Sequence, residues 1–143
     1  MSVALILAAK GHEVTTTQPH RTMLEVTNLL AEKGIGAVVV TGGDGEVLGI
    51  LSERDIVRAI GRHGVGALQD SVSKFMTSKV VTTRMDEAID HVMEQMTAGR
   101  FRHLPVIHNG KLVGVVSIGD VVKHRIDAIE SEHRALREYI ATA

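Results

Sequence analysis

Apolar residues along this chain follow two rhythms, and each rhythm occurs twice. Met23, Val26 and Leu30 recur at helical spacing, as do Ile89, Val92 and Met96, so an amphipathic helix is predicted at each place. Gly34 and Gly99 then act as stops. Short apolar runs follow in pairs, "GAVVV" with "VLGIL" and "HLPVI" with "LVGVV". Each pair reads as two strands around a tight turn, and Asn109-Gly110 is a favoured dipeptide for a two-residue hairpin. A short extended piece with Val and Thr precedes each helix, at Val14–Thr17 and at Val80–Thr83. A second helix starts just after Ser52 and again just after Ser117.

The halves are copies of one another. "GILSERDIVRAI" (Gly49 to Ile60) is paraphrased by "GVVSIGDVVKHR" (Gly114 to Arg125) at an offset of 65 residues. Upstream the offset is 66, which aligns Val14 and Thr16 with Val80 and Thr82, and Ile35 with Phe101. The change falls at the turn, where "TGGDGE" is one residue longer than "IHNGK", a place where a repeat tolerates insertion. "GRHGVGALQD", with three Gly, reads as the linker between the halves. A β-α-β-β-α unit of roughly 60 residues with one half-covered sheet is marginal alone. Two such units packed face to face around a pseudo-twofold axis bury both sheets and leave two related clefts between them. The expected class is therefore α/β, with repeat 1 and an N-terminal helix in 1–66, repeat 2 in 67–125, and a helical extension in 126–143.

Both ends carry further signals. "MSVALILAAKG" reads as a short amphipathic helix stopped by Gly11. Its apolar run, Val3 to Ala9, falls short of the roughly 20 residues of a membrane span. It also lacks a basic n-region, because the first cation is Lys10. A soluble, cytoplasmic protein is expected. At the other end Val122, Ile126, Ile129, His133, Leu136 and Ile140 step by four and three, a seam-like stripe with charges between. Such a stripe is covered either by the rest of the chain or by a second copy, and a homodimer contact is the expectation.

Composition then removes whole classes of function. The chain has 143 residues, one Tyr, two Phe and no Trp, which leaves little for stacking on bases. Its net charge of −1 lacks the basic excess of a phosphate-backbone binder, so no nucleic acid is expected as partner. No Cys is present, which removes disulfides, thiolate nucleophiles and Cys-type zinc sites. The eight His are scattered without metal-ligand spacing on one helix face, so neither a metal nor catalytic residues are assigned.

What remains is the repeated Ser-x-x-Asp. As a helix N-cap followed by a first-turn acid it needs no ligand, and Thr22-x-x-Glu25 and Thr83-x-x-Asp86 share the pattern. The same geometry also serves a ligand. A Ser at a strand-to-helix junction sets its hydroxyl beside free backbone N–H groups, ready for an anion. An Asp one turn on would repel that anion and instead suits the paired hydroxyls of a ribose. Both readings stand on the residues alone.

Here the residues resemble a known family. The pattern Gly-h-h-[Ser/Thr]-x-x-Asp (h, an aliphatic residue) at "GILSERD" and "GVVSIGD", with "RHLPVI" and "KFMTSKVVTT", resembles a tandem pair of CBS domains, the Bateman module, over essentially Lys10 to Arg125. The resemblance implies two CBS repeats around a pseudo-twofold axis and a regulatory rather than catalytic role. It implies binding of an adenosine ligand such as AMP, ADP, ATP, NAD or S-adenosylmethionine between the repeats. Carried over, a first cleft uses Leu51, Ser52 and Asp55 with Val80, Val81, Arg102 and His103. A second uses Val116, Ser117 and Asp120 with Val14, Thr15, Ala37 and Arg54. Arg54 stands where relatives place a phosphate-contacting cation, while its partner slot, Ile118-Gly119, is uncharged. The first repeat departs by Val39 against Pro105, and by Gly36-Ala37 against Arg102-His103. The implied function is a sensor of adenosine nucleotides acting in trans on a regulated protein. The alternative is a ligand-independent dimerisation module whose clefts are degenerate.

Overall fold

The computed structural model describes residues 1–142 and is α/β throughout. Helix α1 (Val3–Lys10) leads into strand β1 (Thr16–Thr17), helix α2 (Met23–Lys33), strands β2 (Ala37–Thr41) and β3 (Val47–Ser52), and helix α3 (Glu53–His63). A 3-10 turn (Val65–Gln69) and short helix α4 (Val72–Phe75) lead into helix α5 (Ile89–Gly99). Strands β4 (His103–His108) and β5 (Lys111–Ser117) and the 25-residue helix α6 (Ile118–Thr142) complete the second half. One sheet has the order β1-β2-β3, with β1 parallel and β3 antiparallel to β2; the other is the β4-β5 hairpin. Among the described residues no helix is long and apolar enough to cross a membrane.

The two sheets differ for a reason visible in one residue. Val39 donates its N–H to the Thr15 carbonyl at 3.3 Å, which helps seat β1. The equivalent residue of the second repeat is Pro105, which has no N–H to give. The extended piece expected at Val80–Thr83 accordingly shrinks to a single parallel bridge between Thr83 and Val106. Val81, the counterpart of Thr15, is left 43% exposed.

Each sheet is covered partly by the segment that precedes the other repeat. Val3, Ile6 and Leu7 of α1, grouped by sequence order with repeat 1, pack into the core of the second half with Ile89, Val92, Met96, Leu104, Val106, Val116 and Val121. Conversely, Ala67 and Val72 join Met23, Val26, Leu30, Val38, Val40, Leu51, Ile56 and Ala59 in the first core. "GRHGVGALQD" is thus not a free linker: it completes α3, forms the 3-10 turn and buries Ala67. The exchange obeys the pseudo-twofold. Val3 N–H donates to the Glu87 carbonyl and Val72 N–H to that of Arg21, at 2.9 and 2.7 Å. Leu7 packs on Gly114 as Met76 packs on Gly49, and at either glycine a Cβ would lie 2.7 Å from that side chain.

Candidate functional site

The first cleft forms where three segments meet: the β3–α3 junction, residues 77–81, and the α5–β4 junction. Its volume is about 680 Å³, within the range of small-molecule sites. Ser52 caps α3 in a full capping box. Its Oγ accepts from the Asp55 N–H at 3.3 Å, while Asp55 Oδ2 accepts from the Ser52 N–H at 3.0 Å and from Ser52 Oγ at 3.1 Å. The cap reading of this box is therefore realised, and Asp55 Oδ1 makes no hydrogen bond among the described residues.

Charge converges here. Arg54, Arg58, Lys79, Arg100 and Arg102 line the cleft against Glu53 and Asp55, five cations to two carboxylates in a chain of net charge −1. Arg54 donates from Nη1 to the Arg100 carbonyl at 3.3 Å, which ties the first turn of α3 to the end of α5. Arg100 holds a left-handed conformation, φ 55°, at the place where the first repeat has Gly34, φ 63°. At the preceding Gly99 a Cβ would fall on the Phe101 ring, which would have to shift to admit it. Ile50, Val81 and Phe101 add apolar wall between the charged groups.

His103 joins the two repeats. It opens β4, pairs in register with Ser117, and sets its ring where a Cβ on Gly36 would lie 3.4 Å from Cε1 and Nε2. Burial above all holds its pKa below 6.5; the field of Lys10 adds to this, Glu53 and Asp120 oppose it, and Arg102 lowers it further. At neutral pH the ring is uncharged and can accept as well as donate.

The residues expected at the clefts divide as follows. Ser52, Arg54, Asp55, Val81, Arg102 and His103 line the first cleft together. Val80 is half-buried and not part of its lining. Leu51 and Val116 are fully buried and belong to the two cores. Arg54, assigned by the resemblance to the second cleft, lies in the first. Ser117 and Asp120 form the same kind of box at α6, with the Ser117 N–H 2.9 Å from Asp120 Oδ2. Val14, Thr15 and Ala37 are half-buried, and none hydrogen bonds to Ser117 or Asp120. Asp120 instead meets Lys10, whose Nζ lies 2.6 Å from Oδ2. Burial alone would raise the Asp120 carboxyl, but the Lys10 hydrogen bond, the Ser117 amide and the lysine charge bring it below 3.8.

Several lining residues were not anticipated. Arg58 follows Arg54 by one helical turn, a spacing readable in the sequence. Arg100 was signalled by its alignment with Gly34. Lys79 and Lys10 carried no local signal, because the exchanged segments bring Lys79 to the lining of the first cleft and Lys10 onto Asp120. Among the described residues no three His, Asp or Glu side chains converge to hold a metal ion.

The comparisons with known proteins agree with this architecture. The CBS domain family model matches residues 11–62 and 72–127, so the chain belongs to the CBS-domain family. The crystal structure of a CBS-domain containing protein from Agrobacterium tumefaciens superposes with a TM-score of 0.86 at 49% identity, over 87% of this chain and 99% of that one. A mitochondrial CBS domain-containing protein of Arabidopsis thaliana is 34% identical over 83% of this chain, which spans 60% of that relative's length. A CBS domain protein from Pyrobaculum aerophilum, solved complexed with AMP, is 28% identical with a TM-score of 0.75, over 84% of this chain and 89% of that one.

Proposed function

We propose that this protein is a regulatory module that binds an adenosine nucleotide in the first cleft and passes its occupancy to a partner protein. The observation that carries the reading is the pairing of an available Asp55 oxygen with five cations around one cleft. Such a site takes a ligand with both a polyhydroxyl part and an anionic part, and a nucleotide has both. The ribose sits at Asp55, the phosphates face Arg54, Arg58, Arg100 and Arg102, and the base lies against Ile50, Val81 and Phe101. The AMP complex of the Pyrobaculum relative supports this ligand class. AMP, ADP, ATP and NAD all satisfy it, and a thermal-shift series across the four ranks them. A ligand that binds only the folded state at 100 times its Kd adds about 2.7 kcal/mol of stability. If none of the four shifts the melting temperature, the reading fails.

The output surface is α6. Val122, Ile126, Ile129, Leu136 and Ile140 are 40–64% exposed along it, so the stripe is not covered by the chain's own module. We assign it to a homodimer contact. Arg102 lines both the cleft and a hollow of about 580 Å³ walled by Ile118, Val122 and Ile126, which connects bound phosphate to the foot of this stripe. The same exposed stripe favours a second reading, a dimerisation module indifferent to nucleotide. That reading requires a dimer of unchanged affinity with and without AMP, and no thermal shift.

A further inference from the structure

The two Ser-x-x-Asp boxes have the same chemistry but different neighbours. Asp55 accepts only from Ser52, and among the described residues no cation forms an ion pair with it. Asp120 Oδ2 accepts from the Ser117 N–H and, at 2.6 Å, from the ammonium of Lys10. The same ammonium donates to the Val115 carbonyl at 2.8 Å. This lysine is held in place by its helix. Ile6 and Leu7 are buried in the second core, and the Gly11 N–H closes α1 on the Leu7 carbonyl at 2.7 Å.

The pseudo-twofold shows what Lys10 replaces. The counterpart of Val115 is Ile50, whose carbonyl accepts from the Thr77 backbone N–H at 2.9 Å. In the second half a lysine side chain supplies that missing donor and reaches the carboxylate as well. The counterpart of Lys10, 69 residues on as Met76 is from Leu7, is Lys79. It lines the first cleft and forms no ion pair among the described residues. The difference lies in the backbone: α1 stays helical through Lys10, whereas α4 ends at Phe75 and the chain then pairs with Ile50.

We infer that Lys10 is a built-in counter-ion at the second ribose position, the residue that makes the two clefts unequal in affinity. This deepens the nucleotide reading above and rests on it. In the first cleft a ribose competes with the Ser52 hydroxyl, which is free to turn toward the ligand. Asp120 Oδ1 is likewise without a bond among the described residues, but a ribose that engages both carboxylate oxygens must displace from Oδ2 an ammonium held by a charge-assisted bond and a second bond to Val115. A contact of that kind lowers ligand affinity by about ten- to a hundredfold.

The test is calorimetric titration of the full chain with AMP at neutral pH, on the parent, Lys10→Met, Lys10→Arg and the double variant Lys10→Met/Asp120→Asn. The parent should take one AMP strongly, and Lys10→Met should take a second with at least roughly tenfold improved affinity. Lys10→Arg should behave as the parent, and adding Asp120→Asn should abolish the gain. Circular dichroism checks each fold, and Lys10→Gln stands in if the methionine variant is unfolded. A ligand-free readout accompanies it: by NMR, the Asp120 carboxyl should titrate at higher pH in Lys10→Met. Unchanged AMP binding in that variant, or an unchanged Asp120 titration, overturns the inference and leaves the first-cleft reading intact. Binding by Lys10→Met but not by the parent upholds the counter-ion and sinks the first-cleft reading. No binding by either sinks both.

Discussion

Arg100 is the residue where stability and binding pull in opposite directions. A side chain in the left-handed region costs on the order of 1 kcal/mol, and the first repeat avoids this with Gly34. Arg100→Gly should therefore leave stability unchanged or raise it by up to about 1 kcal/mol, glycine's own entropy cost offsetting part of the relief. It should weaken AMP binding, because one of five cleft cations is gone. Urea unfolding read beside AMP titration checks both. At Asp55, substitution by Asn keeps an acceptor for the Ser52 N–H and so preserves most of the cap, but removes the charge that meets ribose. Affinity for AMP should fall about ten- to a hundredfold with little change in melting temperature. An Asp55→Asn protein that binds like the parent would show that the box is a cap and nothing more. His103 carries a pH signature. Its folded pKa lies below 6.5, so between that value and 6.5 the unfolded chain binds more protons than the folded one. Stability should fall as pH drops from about 6.5 through the folded pKa, and His103→Gln should flatten that part of the profile in denaturation measured against pH.

At the scale of elements, the two exchanged segments depend on glycine. Gly114→Ala would drive a Cβ to 2.7 Å from the buried Leu7 side chain, an overpacking that costs about 1–3 kcal/mol. Gly49→Ala should cost more, since its Cβ meets Met76 Sδ at 2.7 Å and also the Thr77 backbone carbonyl at 2.9 Å. That carbonyl cannot retreat without breaking its bond to the Ile50 N–H. Paired urea denaturation of the two variants gives the order. These elements also mark what could be read from sequence. The helices at Met23 and Ile89, the strand pairs and the Ser-capped starts of α3 and α6 were legible, because each is written in local periodicity and caps. The shrinkage of the strand before Pro105 was encoded in a missing N–H, although only the register with Val39 made it readable. The exchange was not legible. Val3, Ile6 and Leu7 carry apolar character but no address, and sequence order alone attaches them to the nearer repeat. Of the seven residues that the resemblance assigned to the first cleft, Ser52, Asp55, Val81, Arg102 and His103 line it together, while Lys10 on Asp120 was missed.

For the whole molecule, the fold combines two inward-facing cores with one outward-facing helix. Helix α6 runs about 37 Å and buries only Val121 fully, so most of its apolar stripe is exposed. Truncation after Arg125 should convert a dimer into a monomer, or weaken it, in light scattering, with AMP binding retained because the first cleft lies entirely upstream. A truncated chain that dimerises unchanged would place the contact elsewhere, for example on α3, where Val57 is 69% exposed. The central claim, that the cationic cleft beside Ser52 and Asp55 is a nucleotide site, is tested most directly by isothermal titration of AMP into the intact protein. The account predicts saturable binding at the first cleft that Asp55→Asn weakens by about ten- to a hundredfold. A flat titration with the folded parent protein would contradict it.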